Sequence, residues 1–428
     1  MSSDAISRIL DGIPIPPMAR IRQHLPEETL PDVAAAARTA MDREVLRKKI
    51  RPGMRVAITA GSRGIFGMKD MLREAAAFVR SCGGDPFLIP AMGSHGGATA
   101  DGQRDVLTRY GITEETVGAP IRATMETVKI GELPDSTPVY IDRYAAEADG
   151  IILVNRIKCH TGFRGRYESG LFKMMAIGLG KQYGAQTVHG RGADKMGESI
   201  ELFGKAILQN ANVLLGLAVI ENAIDMPYQI VALTPQEIID QEPDYLTLAR
   251  QLMPRILFDN LDVVIVDYFG KEISGAGVDP NVTHTYKYAS GIPLDGRARQ
   301  VAVLDLTEQS HGNAHGVGVM DLITKRFFDK IDPDITYANS LTTGGTEVPK
   351  IPMYLPNQRM CIQAAIHCAQ GADREKLRMV RIRDTMHLKE IQVSPALLEE
   401  ARGNPAFDIL EEPTPLVFDS QGDLFPSK

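Results

Sequence analysis

The sequence has no tryptophan in 428 residues and only four cysteines, Cys82, Cys159, Cys361 and Cys368. None belongs to a CxxC pair, which speaks against a disulfide framework and a structural zinc site and for a reducing, cytoplasmic setting. No apolar run is long enough to span a bilayer, and the first residues lack the basic stretch and apolar run of a secretory signal. Basic residues are not in excess: 47 Lys and Arg against 54 Asp and Glu leave a formal charge of −7. That balance gives no electrostatic reason to expect nucleic acid or an anionic membrane surface as partner. Low-complexity segments and solenoid repeats are absent as well. The dinucleotide fingerprint GxGxxG is missing, since Arg63 occupies the turn in Gly61-Ser62-Arg63-Gly64. The exclusions leave an enzyme or a binder acting on a small molecule.

The residues present are those of an ordinary globular protein, 44% hydrophobic and 24% charged, in a chain longer than one core usually covers. Short aliphatic runs recur, each followed by glycine or polar residues and then by amphipathic helical sequence. Examples are Arg55 to Ala60, Pro86 to Pro90, Ile151 to Val154, Asp262 to Asp267 and Arg299 to Asp305. Continuous apolar runs suit strands covered on both faces, so the expected fold is α/β, two domains with mostly parallel sheets and an active site in the interdomain cleft. The expected boundaries are 1–261 for a catalytic and cofactor domain and 262–394 for a second α/β domain. The tail 395–428, helix and then loop, is expected to pack back on the first domain.

Five of the nine histidines lie in four glycine-containing segments, around His95, His160, His189 and the pair His311 and His315. Glycine admits positive φ and presents no Cβ wall, so an imidazole carried there tends to sit on a bare loop beside open space. His95, in Gly93-Ser94-His95-Gly96-Gly97, is either a general base or a surface histidine bonded to a carbonyl. His160 stands among Arg156, Lys158, Arg164 and Arg166, which favours a pocket for an anion over a solvated basic loop. Cys159 beside it reads as a space-filler. Lys173 sits between Leu171, Phe172, Met174 and Met175, where desolvation would free its amine for covalent attachment; a snorkelling lysine is the alternative, and Lys181 competes for the role. His189 has no HxxxH or CxxC partner, so a metal held by protein alone is not expected; one held mostly by an organic cofactor with a single histidine ligand is compatible. Arg63 reads as a planar donor to carboxylate or phosphate.

In order and local motif, Arg63, His95, His160, Lys173 and His189 resemble the nickel-pincer-nucleotide-dependent lactate racemase family. The likeness runs along most of the chain in architecture, and the step from Lys173 to His189 is its most specific part. The resemblance implies an isomerase that inverts the C2 stereocentre of a 2-hydroxy acid by reversible hydride transfer to a nickel-pincer nucleotide. It implies His95 and His160 as alternating bases and Arg63 as the carboxylate or oxygen contact. Lys173 and Ser62 are implied to hold the cofactor and His189 to ligate nickel. The implied partners are a small anionic 2-hydroxy acid and the enzymes that make and load the cofactor; a homo-oligomer is left open. This chain departs from the family pattern in three places. Extra residues lie in the stretch Phe163 to Ser169, Ala60 stands where an acidic residue is expected, and the second-domain tyrosine-glutamine-lysine segment is replaced by Gly270 to Asn281. Arg164, Arg166, Lys271, His311 and Asn313 are the candidate substrate contacts, and the role of His315 stays open. On the residues alone, a histidine-dependent lyase or dehydratase and a binder for an anionic small molecule remain alternatives.

Overall fold

The structure, a computed structural model, describes residues 4–285 and 298–424. The outermost ends of the expected first domain and tail, residues 1–3 and 425–428, lie outside them. Two compact units are present, one of residues 26–253 and the other of the chain up to Leu25 and from Pro254 onward. The first strand, β1 (Met18–Gln23), therefore belongs with the C-terminal half.

The unit 26–253 is built on a five-stranded sheet. Its strands are β2 (Arg55–Ala60), β3 (Asp85–Pro90), β6 (Gly150–Ile157), β7 (Val213–Glu221) and β8 (Pro227–Leu233), while β4 (Thr127–Glu132) and β5 (Pro138–Asp142) form a separate antiparallel ribbon. The sheet order is β3-β2-β6-β7-β8, parallel except for β8. Alternate side chains of β2 enter two different cores: Val56, Ile58 and Ala60 one, Ala57 the other. The sheet is thus buried on both faces, which is why its strands read as unbroken apolar runs. Chain order reverses direction between β2 and β6, because β2 connects outward to β3 and β6 onward to β7. Ligands of open α/β sheets collect at the carboxyl ends of strands at such a switch point.

The other unit holds an eight-stranded sheet. It adds β9 (Val263–Phe269), β10 (Gln300–Leu306), β11 (Leu322–Thr324), β12 (Met353–Leu355), β13 (Met379–Ile382), β14 (Glu390–Val393) and β15 (Phe407–Thr414), in the order β12-β11-β10-β9-β13-β14-β1-β15. Pairing from β12 to β13 is parallel and beyond it antiparallel. The α/β class with mostly parallel sheets agrees with the sequence reading. The boundaries differ from it: the division falls at 253/254, and residues up to Leu25 leave the expected first domain. In the tail, the helix Pro395–Ala401 is followed by β15, which pairs with β1. Only the partner strand, nearly four hundred residues earlier, marks that segment as strand.

The helix Met196–Asn210 packs against the segment carrying Lys173. A Cβ at Gly204 would lie 2.2 Å from Cδ1 of Phe172, a ring fully buried and stacked on Tyr167 at 3.6 Å between centroids. Alanine in a helix interior gains about 1 kcal/mol over glycine, but overpacking a fixed ring costs about 1–3 kcal/mol. Gly204→Ala is therefore expected to lower stability, read as a lower urea midpoint; an unchanged or raised midpoint would show that the ring can give way.

Candidate active site

Three loops and one helical segment meet at the carboxyl ends of β3, β2 and β6. After β2 comes Gly61-Ser62-Arg63-Gly64, leading to the helix Met68–Ser81. Arg63 is exposed by surface area, yet its guanidinium lies at a crowded position, where desolvation and then repulsion by Arg156 lower its pKa. Gly61 borders the methyl end of Met174, 3.4 Å from where its Cβ would stand. The carbonyl of the half-buried Ser62 accepts from the Tyr110 hydroxyl at 3.3 Å.

After β6 a hairpin-like loop is closed by two backbone bonds between Lys158 and Ser169. His160 lies within it, stacked on Phe163 at 4.2 Å. Its N–H donates to Glu168 Oε2 at 2.7 Å and its carbonyl accepts from Arg164 at 2.7 Å. Glu168 is fully buried and is bracketed by Arg164 at 3.4 Å and Arg250 at 3.2 Å, while burial raises its pKa. Arg164, a candidate substrate contact, thus braces the loop from within. Arg166 is exposed and lies over the Tyr167 ring. Cys159 is buried and its thiol pKa is raised by burial and by Glu168, which fits a space-filler. Gly162 N–H donates to His160 Nδ1 at 3.0 Å, so the neutral ring carries its proton on Nε2.

The chain then forms a short helix, Leu171–Lys173, a π-turn, Met174–Leu179, and the helix Lys181–His189. The first starts on the buried Glu242 carboxyl, which accepts the Phe172 N–H at 3.2 Å; a Cβ at Gly170 would lie 2.0 Å from that carboxyl. Burial pushes Glu242 up to about 8, so this cap is largely protonated at neutral pH. Lys173 is half-buried, and desolvation followed by repulsion from Arg63 pushes its pKa down to about 7. His189 is lowered by burial and by Lys173. His160 lies well below its ordinary value through burial, then Lys173, Arg164, His189 and Arg63. Those mutual couplings bring Arg63, His160, Lys173 and His189 into one site. Among the described residues, no carboxylate contributes to the shifts of Arg63, Lys173 or His189. The cluster therefore calls for an anion.

Lys181 answers the question of the competing lysine. It is fully buried, which lowers its pKa as well, but it is ion-paired with Asp142 at 3.1 Å, whereas Lys173 has Arg63 as its charged neighbour. His95 stands exposed on the loop after β3, whose start abuts the π-turn: Gly93 N–H donates to the Gly178 carbonyl at 3.3 Å. Glu168, Arg250, Gln103, Asp142 and Glu242 escaped sequence reasoning. Their roles rest on partners distant in the chain, and only the acid in the glycine-rich basic stretch at Glu168 gave a local signal.

Lys271, His311 and Asn313 lie in the other unit. Lys271 N–H donates to Ser310 Oγ at 2.9 Å and its Nζ to the Gly275 carbonyl. His311 is exposed with φ 48°, and Asn313 Oδ1 accepts the His315 N–H at 3.1 Å. His315 is buried against Ser340 at 2.8 Å and pushed down to about 4 by burial and Lys271, a neutral packed ring. Among the described residues no group of three or more His, Cys, Asp or Glu could hold a metal, and no helix is long and apolar enough to cross a membrane.

Residues 19–201 match the model of the lactate racemase N-terminal domain. Among solved structures, the chain is similar to the lactate racemase apoprotein from Thermoanaerobacterium thermosaccharolyticum, at 12% identity over 86% of this chain and 85% of that one, TM-score 0.48. A protein from Thermotoga maritima is similar at 13% identity over 86% and 99%, TM-score 0.46. No curated protein matches.

The electrostatics at Lys173 can be read directly. Competitive labelling with acetic anhydride and peptide mapping should give a Lys173 midpoint at about 7, and Arg63→Ala should raise it by removing a like charge. A midpoint near the ordinary 10.5 would mean that the amine is fully solvated.

Proposed function

We propose that the chain is an isomerase, a racemase or epimerase that inverts C2 of a small anionic 2-hydroxy acid with the help of a nickel-pincer nucleotide. The observation that carries this reading is the Lys173 amine, depressed to about 7, beside Arg63, His160 and His189, with no carboxylate among the described residues contributing to the shifts of Arg63, Lys173 or His189. An amine that is substantially neutral near pH 7 suits covalent attachment, a neutral imidazole suits a metal, and the surplus of cations suits acidic groups. The donor set therefore fits the cofactor: Lys173 would hold it covalently, His189 would ligate nickel, and Ser62 would lie alongside. When bound, that group supplies a reversible acceptor for the C2 hydrogen as hydride. Loading depends on the enzymes that make it.

The remaining work falls to the protein. Arg63 orients the substrate carboxylate by planar, charge-assisted bonds. His95 takes the hydroxyl proton as C2 becomes planar. His160, with Nδ1 engaged by Gly162, presents Nε2–H toward the substrate oxygen; to serve as the base for the other enantiomer it must first move its proton to Nδ1, giving up that bond. Two imidazoles are needed because inversion has to start from either hand. Arg166, Lys271, His311 and Asn313 are left as contacts to the remainder of the substrate, whereas Arg164 acts through the His160 backbone.

The test is co-expression with cofactor-making enzymes, followed by chiral analysis of a panel of 2-hydroxy acids, sugar acids included. Expected are protein-bound nickel, a mass increment on the Lys173 peptide, inversion of at least one acid and no solvent deuterium at C2. Replacing His189 by alanine should remove nickel and lower the turnover number by about 10–100-fold or more with the fold retained by circular dichroism. Solvent deuterium at C2 would favour a carbanion or lyase route, and a retained anion without turnover would favour a binder.

A further inference from the structure

Beyond the groups that face the anion site, a second set of polar side chains is sealed beneath it. Lys181 Nζ donates to the Pro90 carbonyl at 2.5 Å and to Gln103 Oε1 at 2.8 Å, and meets Asp142 Oδ2 at 3.1 Å. The other Asp142 oxygen accepts the N–H groups of Tyr144 and Ala145, at 2.7 and 3.2 Å, and so caps the helix Arg143–Ala146. Gln103, fully buried on the helix Ala100–Arg109, donates through Nε2 to the carbonyls of Gly93 at 2.8 Å and His95 at 3.2 Å. Lys181 also adopts φ 53°, the left-handed region that side-chain-bearing residues rarely use, at the joint between the π-turn and the helix ending in His189. Strain of that kind persists only where neighbours over-determine it, and here three oxygen partners fix one ammonium.

We infer that Asp142, Lys181 and Gln103 form a buried positioning relay that locks the His95 loop to the helical segment running from Lys173 to His189. Lys181 joins the end of β3, the ribbon strand β5 through Asp142, and the helix bearing His189. Gln103 passes the constraint to the two carbonyls that flank Ser94. None of the three touches the reacting atoms, so they are positioning residues. A burial-only role is the competing account. A buried ion pair is commonly replaceable by apolar groups at little cost in stability, and such a pair would need no amide reaching on to the His95 carbonyl. The inference that catalysis depends on the relay rests on the racemase reading, whereas the mechanical coupling does not.

Gln103→Glu separates these accounts. The carboxylate still accepts from Lys181 but cannot donate to Gly93 or His95 and sets an oxygen against their carbonyls, so the link to the loop is cut while the Lys181 contact is kept. Native-state hydrogen exchange on the full chain, without cofactor, is expected to quicken by about tenfold or more for amides from Gly93 to Ala98, with the helix Met68–Ser81 unaffected. In cofactor-loaded enzyme the turnover number should fall by about tenfold or more while KM stays within about twofold, as expected when a catalytic group is misplaced rather than binding lost. Should Gln103→Glu fail to fold, Gln103→Met removes the same two bonds without adding charge, and the same exchange readout applies. Unchanged exchange at Gly93 to Ala98 in a folded variant overturns the relay. Faster exchange in a chain whose parent inverts no 2-hydroxy acid would leave the relay standing and remove the racemase reading instead.

Discussion

Burial of basic groups close to one another at the carboxyl ends of β2 and β6 is the constraint that the surrounding structure answers to. Arg63, Lys173, His160 and His189 each hold a proton less readily than they would in water, and apart from burial each is repelled by at least one other positive group. At Lys173 alone the displacement, from 10.5 to about 7, is worth on the order of a few kcal/mol before solvent screening. Between those two values the unfolded chain binds more protons at this lysine than the folded one, so its contribution to stability improves as pH rises through that window. At neutral pH nearly the whole cost is borne. An anionic ligand would relieve it, so binding to this site draws on strain already stored in the fold.

A site under such stress needs rigid walls, and the charges supplying them differ from those facing the ligand. Glu168 accepts the His160 N–H and pairs with Arg164 and Arg250; Asp142 pairs with Lys181 and accepts two backbone N–H groups through its other oxygen; Glu242 accepts at the N-terminus of the helix that carries Lys173. Every one of these carboxyls is buried. In a low-dielectric interior a satisfied polar group is directional and stiff, while an unsatisfied one is costly. The fold thus separates buried, partnered carboxyl groups, which position, from the basic groups beside the ligand site. Glycines allow the close approaches: Gly170 against Glu242 and Gly178 against the Ala91 carbonyl admit no Cβ.

Much of the architecture was legible locally. Unbroken apolar runs at Arg55 to Ala60 and Ile151 to Val154 announced strands covered on both faces. The histidine loops were legible for the same reason, since a glycine's backbone freedom belongs to the residue itself. The tail was not: Phe407–Thr414 becomes strand only because β1 offers it an edge. Arg164 misled for a related reason. Its sequence context is that of a pocket cation, but Glu168 turns it inward.

What the chain determined by itself was the period of its apolar residues, the placing of glycine-borne imidazoles after strands, and a short list of side chains able to do acid-base and covalent chemistry. Only the tertiary structure decided which of two buried-amine lysines stands beside other basic groups and which is tied down by a carboxylate. Lys173 and Lys181 stand eight positions apart in similar apolar and glycine-rich surroundings. One faces Arg63 and the other Asp142. Their fates diverge because desolvation and Coulomb forces act through space, on whichever neighbours folding brings near, and the local sequence carries no record of those neighbours.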